Sequence, residues 1–129
     1  MKKMFVVLAI AALMLMGTTA WAADKTIRFG WTQNLSVPIA GWHLYKGTTA
    51  GGENLTTPAA TIPFTAQQAN YTYDLVGVSF PDNQNTTFYW KMDAYTATGV
   101  KSVLSSEIST SLDLRQPSGA PGDFTATIQ

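Results

Sequence analysis

The sequence predicts an all-β protein, folded as an antiparallel two-sheet sandwich. Three observations lead there. Valine, isoleucine, threonine and aromatic residues fall in short runs that alternate with polar residues, and no stretch beyond residue 22 sustains the 3.6-residue apolar period of a helix. Clusters of Gly, Pro, Asn and Asp separate those runs, as turns require. The 129 residues, 46% of them hydrophobic, suffice for one domain, and with no Cys that domain must rest on its own core rather than on disulfides.

The first 22 residues read as an address rather than as part of the domain. Lys2 and Lys3 precede an unbroken apolar run over 4–16, and Ala20-Trp21-Ala22 places small residues at the two positions a signal peptidase reads. The run falls short of the roughly 20 residues a transmembrane helix needs. Cleavage after Ala22 is expected, giving an exported chain, 23–129, in the periplasm or outside the cell, with no membrane insertion thereafter. Losing Lys2 and Lys3 tips a balanced charge to the acidic side.

Strands follow in order. Ile27, Phe29 and Trp31 alternate with Thr26, Arg28 and Gly30, so one face is buried and the other wet. After a loop over 32–40, Trp42 and Leu44 alternate with His43 and Tyr45 until Gly47 and the turn cluster 48–52 end the strand. Ile62 and Phe64 mark a weaker strand that Pro63 confines to a sheet edge. Tyr71, Tyr73 and Leu75 share one side of a fourth. The strongest signal is 86–96, with Phe88, Trp90, Met92 and Ala94 on one face and Tyr89, Lys91, Asp93 and Tyr95 on the other. A strand over 103–112 is expected to turn Ile108 inward and Glu107 and Ser109 outward. Residues 116–122, QPSGAPG, are a linker by composition, and beyond them Phe124, Ala126 and Ile128 alternate with Thr125, Thr127 and Gln129 as one more strand.

The runs Ile27-x-Phe29-x-Trp31, Ala40-Gly41-Trp42-x-Leu44-Tyr45-x-Gly47 and Thr86-Thr87-Phe88-Tyr89-Trp90-Lys91-Met92-Asp93-Ala94-Tyr95 resemble strands B, C and F of the fibronectin type III family. Ser105-Ser106-Glu107-Ile108-Ser109 is similar to its strand G. The resemblance covers about residues 25–112, is nearest to the single-domain versions exported by bacteria, and implies an immunoglobulin-like sandwich in which 23–113 supplies strands B to G. Two departures stand out. Phe88 occupies the place of the corner tyrosine and lacks its hydroxyl. The expected exported chain also begins at strand B, whereas 114–129 is a linker plus a segment resembling a displaced strand A. Such a fold speaks to architecture rather than to function.

Composition excludes several functions. Eight Lys and Arg against eight Asp and Glu, with no basic run, leave no electrostatic footprint for nucleic acid. One His and no Cys remove most metal and cofactor chemistries, so neither a metal site nor a cofactor is expected. No nucleophile elbow accompanies His43, which reads as a solvated strand residue, and Asp93 beside Lys91 reads as a charge pair. A non-catalytic role follows. Two candidate sites remain. His43, Tyr45, Tyr89 and Tyr95 would share an outward aromatic face, which suits either a saccharide or protein ligand or plain cross-strand pairing. Phe124, Ala126 and Ile128 would enter the trough left by a missing strand A, in a neighbouring copy or in the same chain, unless the tail merely frays. The expected function is a secreted structural or adhesive binding module that assembles through its C-terminal strand. A carbohydrate-binding module, and an accessory or inhibitory subunit of another secreted protein, are the alternatives. The expected partner is a protein, self or other, with a polysaccharide as the second choice.

Overall fold

The computed structural model describes residues 23–119, 121–123 and 125–129. The expected signal segment, Ala120 and Phe124 lie outside the described residues.

Six strands form, β1 (Ala23–Trp31), β2 (Gly41–Gly47), β3 (Ala60–Pro63), β4 (Tyr71–Phe80), β5 (Asn85–Tyr95) and β6 (Ile108–Asp113), with no helix among the described residues. They make two antiparallel sheets, one of β1 and β4 and one in the order β3-β2-β5-β6. The protein is an all-β sandwich. Its two ends are set by the registers. Ala23 faces Phe80 and Asn85 faces Asp113, so β1 starts where β6 finishes. At the other end Trp31 faces Tyr71 and Gly41 faces Tyr95.

Between the sheets lies the core that alternation foretold for β1, β2 and β5, joined by Val78 and Phe80 from a β4 that runs on past the expected Leu75. Phe29, Leu44, Val78, Phe80, Phe88 and Trp90 form one cluster, and Trp42, Ile62, Tyr71 and Ala94 a second. Trp31 and Met92 pack against both and join them. Trp90 is 0% exposed, and its indole N–H donates to Thr110 Oγ1 at 2.9 Å, so its polar atom enters the core satisfied. Trp42 donates likewise to Gln33 Oε1 at 3.0 Å. A bulge interrupts the β1–β4 ladder between Lys25 and Ile27, and Gly77 on β4 takes it up with φ at 76°, a conformation that side chains resist.

The last strand departs from expectation. Instead of running from 103, β6 begins at Ile108, because serines replace the ladder ahead of it. Ser102 and Ser105 each close on β5 twice: Ser102 donates its N–H to Ala94 O and accepts the Ala94 N–H on its Oγ, and Ser105 does the same with Met92. The three-residue step between them faces a two-residue step of β5, and Val103 is pushed out to 91% exposure. Ile108 keeps the inward parity of Thr110 and Leu112, yet it is 53% exposed. The sheet opposite has only two strands, and none lies over it. Of the expected strand over 124–129, the described residues 125–129 carry no regular structure, and Ile128 is 99% exposed.

Candidate functional site

Two strands facing four leave one flank of the core uncovered. Among the described residues nothing pairs with the outer edge of β1, nine residues long and free of proline. Free edges of that length are normally blunted or covered, because every second main-chain N–H and C=O is left to seek a partner. Inside this edge runs a cleft of about 210 Å³, its floor made by Phe29, Leu44, Trp90 and Met92 and its far wall by Ile108. Past Trp31 and Ser105 it continues into a second hollow of about 300 Å³ lined by Gln33, Ser102 and Leu104. The floor is closely packed, with Phe29 meeting Trp90 edge to face at 4.9 Å and Trp31 meeting Trp42 at 5.1 Å. The indole N–H of Trp31, on this flank, is buried without an acceptor. The groove thus offers both halves of what a strand binds: an unpaired main-chain edge and a row of apolar seats.

Of the residues expected to enter it, Ala126 and Ile128 are exposed and rest on no partner strand, and Phe124 lies outside the described residues. Their alternation remains a feature of the sequence alone.

The aromatic face is arranged otherwise than expected. Parity is as read, with His43 opposite Asp93 and Tyr45 opposite Lys91. Exposure is not. Tyr45 is 1% exposed, so its ring offers no stacking platform. Its hydroxyl donates to Asp93 Oδ2 at 2.7 Å, while His43 Nδ1 lies 2.7 Å from Asp93 Oδ1. Lys101 donates to the Tyr45 oxygen at 3.3 Å, and Tyr95 stacks on the His43 ring at 4.3 Å. Burial, reinforced by the Asp93 carboxylate, pushes the Tyr45 hydroxyl well above its ordinary value. His43 is therefore a half-buried, carboxylate-held residue and not a solvated one. Asp93 has spent both oxygens on β2, so its expected pairing with Lys91 does not form. Lys91 lies instead 3.7 Å from Glu53. Tyr89 and Tyr95 remain half-buried.

The cover over this face comes from the β2–β3 loop, and Gly47 admits it. A Cβ there would meet the backbone of Gly52 and Glu53 at 2.8 Å. Glu53 is brought down beside Lys91 with one oxygen unpartnered, and Glu107, next to it, accepts the N–H of Gly51 at 2.7 Å. The neighbouring Glu53 side chain, together with the Gly51 N–H, holds the Glu107 carboxyl below the ordinary glutamate range. Loop, β5 and the β5–β6 connection are thereby tied together. No family model, curated protein or solved structure matches the chain. The molecule presents two distinct surfaces, one sealed by its own hydrogen bonds and one open.

Proposed function

We propose that the protein is an exported, non-catalytic structural or adhesive subunit that assembles by strand donation, the C-terminal residues of one copy adding to the β1 edge of the next. The observation that carries this reading is the open groove beside β1. In the fibronectin type III fold that the sequence resembles, β1 and β4 correspond to strands B and E, and β3, β2, β5 and β6 to C′, C, F and G. The free edge is then the seat of strand A, and the segment resembling strand A stands at the far end of the chain.

Geometry favours a neighbour over self-closure. A strand antiparallel to β1 must enter at the Trp31 end, whereas β6 releases the chain at the Ala23 end. The nine residues of β1 rise about 3.4 Å each, so the return is about 30 Å. The ten residues from 114 to 123 span at most about 33–36 Å fully extended. Pro117 and Pro121 sit within them, and nearly all their slack would be consumed. A copy stacked at that end needs no return. Burying the Phe and Ile side chains at about 1.5–3 kcal/mol each, together with the ladder, is enough to hold subunits. A saccharide ligand would rely on Tyr89 and Tyr95 alone, since Tyr45 is sealed.

Light scattering on residues 23–129 over a range of concentrations tests the reading. Apparent mass and melting temperature should rise with concentration, and Ile128→Asp should abolish the rise. A monomer with a flat melting temperature up to high micromolar concentration would overturn it.

A further inference from the structure

A donated strand fixes which ends of two copies meet, and the end that would receive the donor is unlike the rest of the surface. The Trp31 end is built from the loops 32–40, 64–70 and 96–104, in which Lys101 is the sole charged residue, and that ammonium is turned onto Tyr45. Exposed on it are Val37, Val100, Val103 and Leu104. The opposite end carries Asp24, Lys25, Asp82, Asp113 and Arg115. Apolar side chains are not flexibly displayed here. Ala40 N–H bonds Tyr95 O at 2.7 Å, Thr96 and Val100 close a turn at 2.9 Å, and Asn34 Oδ1 caps Ser36 N at 2.8 Å. Between the loops lies a hollow of about 230 Å³ lined by Gln33, Val37, Ile39 and Val100, and through Gln33 and Ser102 it joins the groove beside β1.

Building on the strand-donation reading, we infer that this loop end is the second half of the subunit interface, seated against the Ala23 end of the donor copy. A chain leaving the donor at its Ala23 end and entering the acceptor at its Trp31 end brings those two ends together. The ten-residue linker 114–123, with Pro117 and Pro121 in it, bounds their separation at about 33–36 Å. Rigid, nearly uncharged loops are cheap to desolvate and to order, which suits them to a buried contact rather than to solvent. The two surfaces differ, so the contact is heterologous and copies add end to end without closing. The competing arrangement is a side-by-side pair exchanging tails, which stops at two copies and leaves these loops free.

Full-length residues 23–129 with Val37→Asp and Val100→Asp together discriminate the two, with Val76→Asp, an exposed site on β4 away from both ends, as control. In parallel, a synthetic peptide of residues 119–129 is titrated into chains that also carry Ile128→Asp and so accept without donating. The expected result is a ladder of species beyond the dimer for the parent and the control. The double variant should need at least tenfold higher concentration to assemble, with peptide affinity unchanged. Assembly that stops at two copies, or that is indifferent to the two aspartates, would overturn the inference while strand donation stands. Absence of peptide binding to the acceptor would sink strand donation, and this inference with it.

Discussion

Replacing Asp93 by Ala tests the sealed face directly. Its carboxylate accepts the Tyr45 hydroxyl at 2.7 Å and lies at the same distance from His43 Nδ1, and it is itself buried. A hydrogen bond to a charged group contributes about 1.5–3 kcal/mol, and the substitution also strands a tyrosine hydroxyl in a site closed to water, at about 1–3 kcal/mol. The loss should therefore reach about 3–4 kcal/mol, a large fraction of the stability of a domain this size. Tyr45→Phe removes one of the two partners and should cost about 1.5–2 kcal/mol. Because the two substitutions remove the same bond, the double variant should lose less than their sum, by about 1–2 kcal/mol. Urea denaturation followed by tryptophan fluorescence measures all four corners of the cycle, in an Ile128→Asp background to keep assembly out of the equilibrium. Additive losses, or an Asp93→Ala midpoint within the error of the parent, would refute the buried Tyr45–Asp93 bond and return Tyr45 to the surface.

Three further outcomes are expected. Trp90→Ala should cost about 3–5 kcal/mol by opening a cavity at the centre of the larger cluster, seen as a collapse of the denaturation midpoint. Tyr45 has its folded-state pKa raised above the unfolded value near 10, so its contribution is fully present below pH 10 and is lost as pH climbs beyond it. Thermal melts from pH 8 to 11.5 should show that decline, and Tyr45→Phe should flatten it. Ile108→Asp should barely alter the melting temperature at low concentration, because that side chain is already half in water, while weakening assembly markedly by charging the groove wall.

Local pattern carried the face of each strand but not its cover. Phe29, Trp42, Leu44, Phe88 and Trp90 are inward where alternation put them, since the two-residue period depends only on the pleat. Tyr45 shows the limit of that logic. Its outward direction was readable, whereas its burial comes from a loop that Gly47 lets down and from Lys101 more than fifty residues away. The Asp93–His43 pairing was hidden for a related reason: nearest neighbours on a sheet face lie across the ladder as well as two residues along it. For 103–107 the apolar Val103-Leu104 pair reads as strand, while the hydroxyls of Ser102 and Ser105 set the backbone. A run of serines beside a strand was the available signal. Ile108 points the way alternation predicts, and its exposure reflects a missing neighbour that no single strand can report.

The free edge of β1 runs the whole length of the sandwich, from the end where the tail departs to the end with the uncharged loops. A guest strand on that edge would lie along the line joining successive copies. Ladder bonds in an antiparallel pair stand perpendicular to the strands. Tension along the line would then try to slide guest past host and load every rung at once, where a force applied across the edge would unzip them singly. An end-to-end chain made this way would resist stretching far better than it resists being peeled apart sideways.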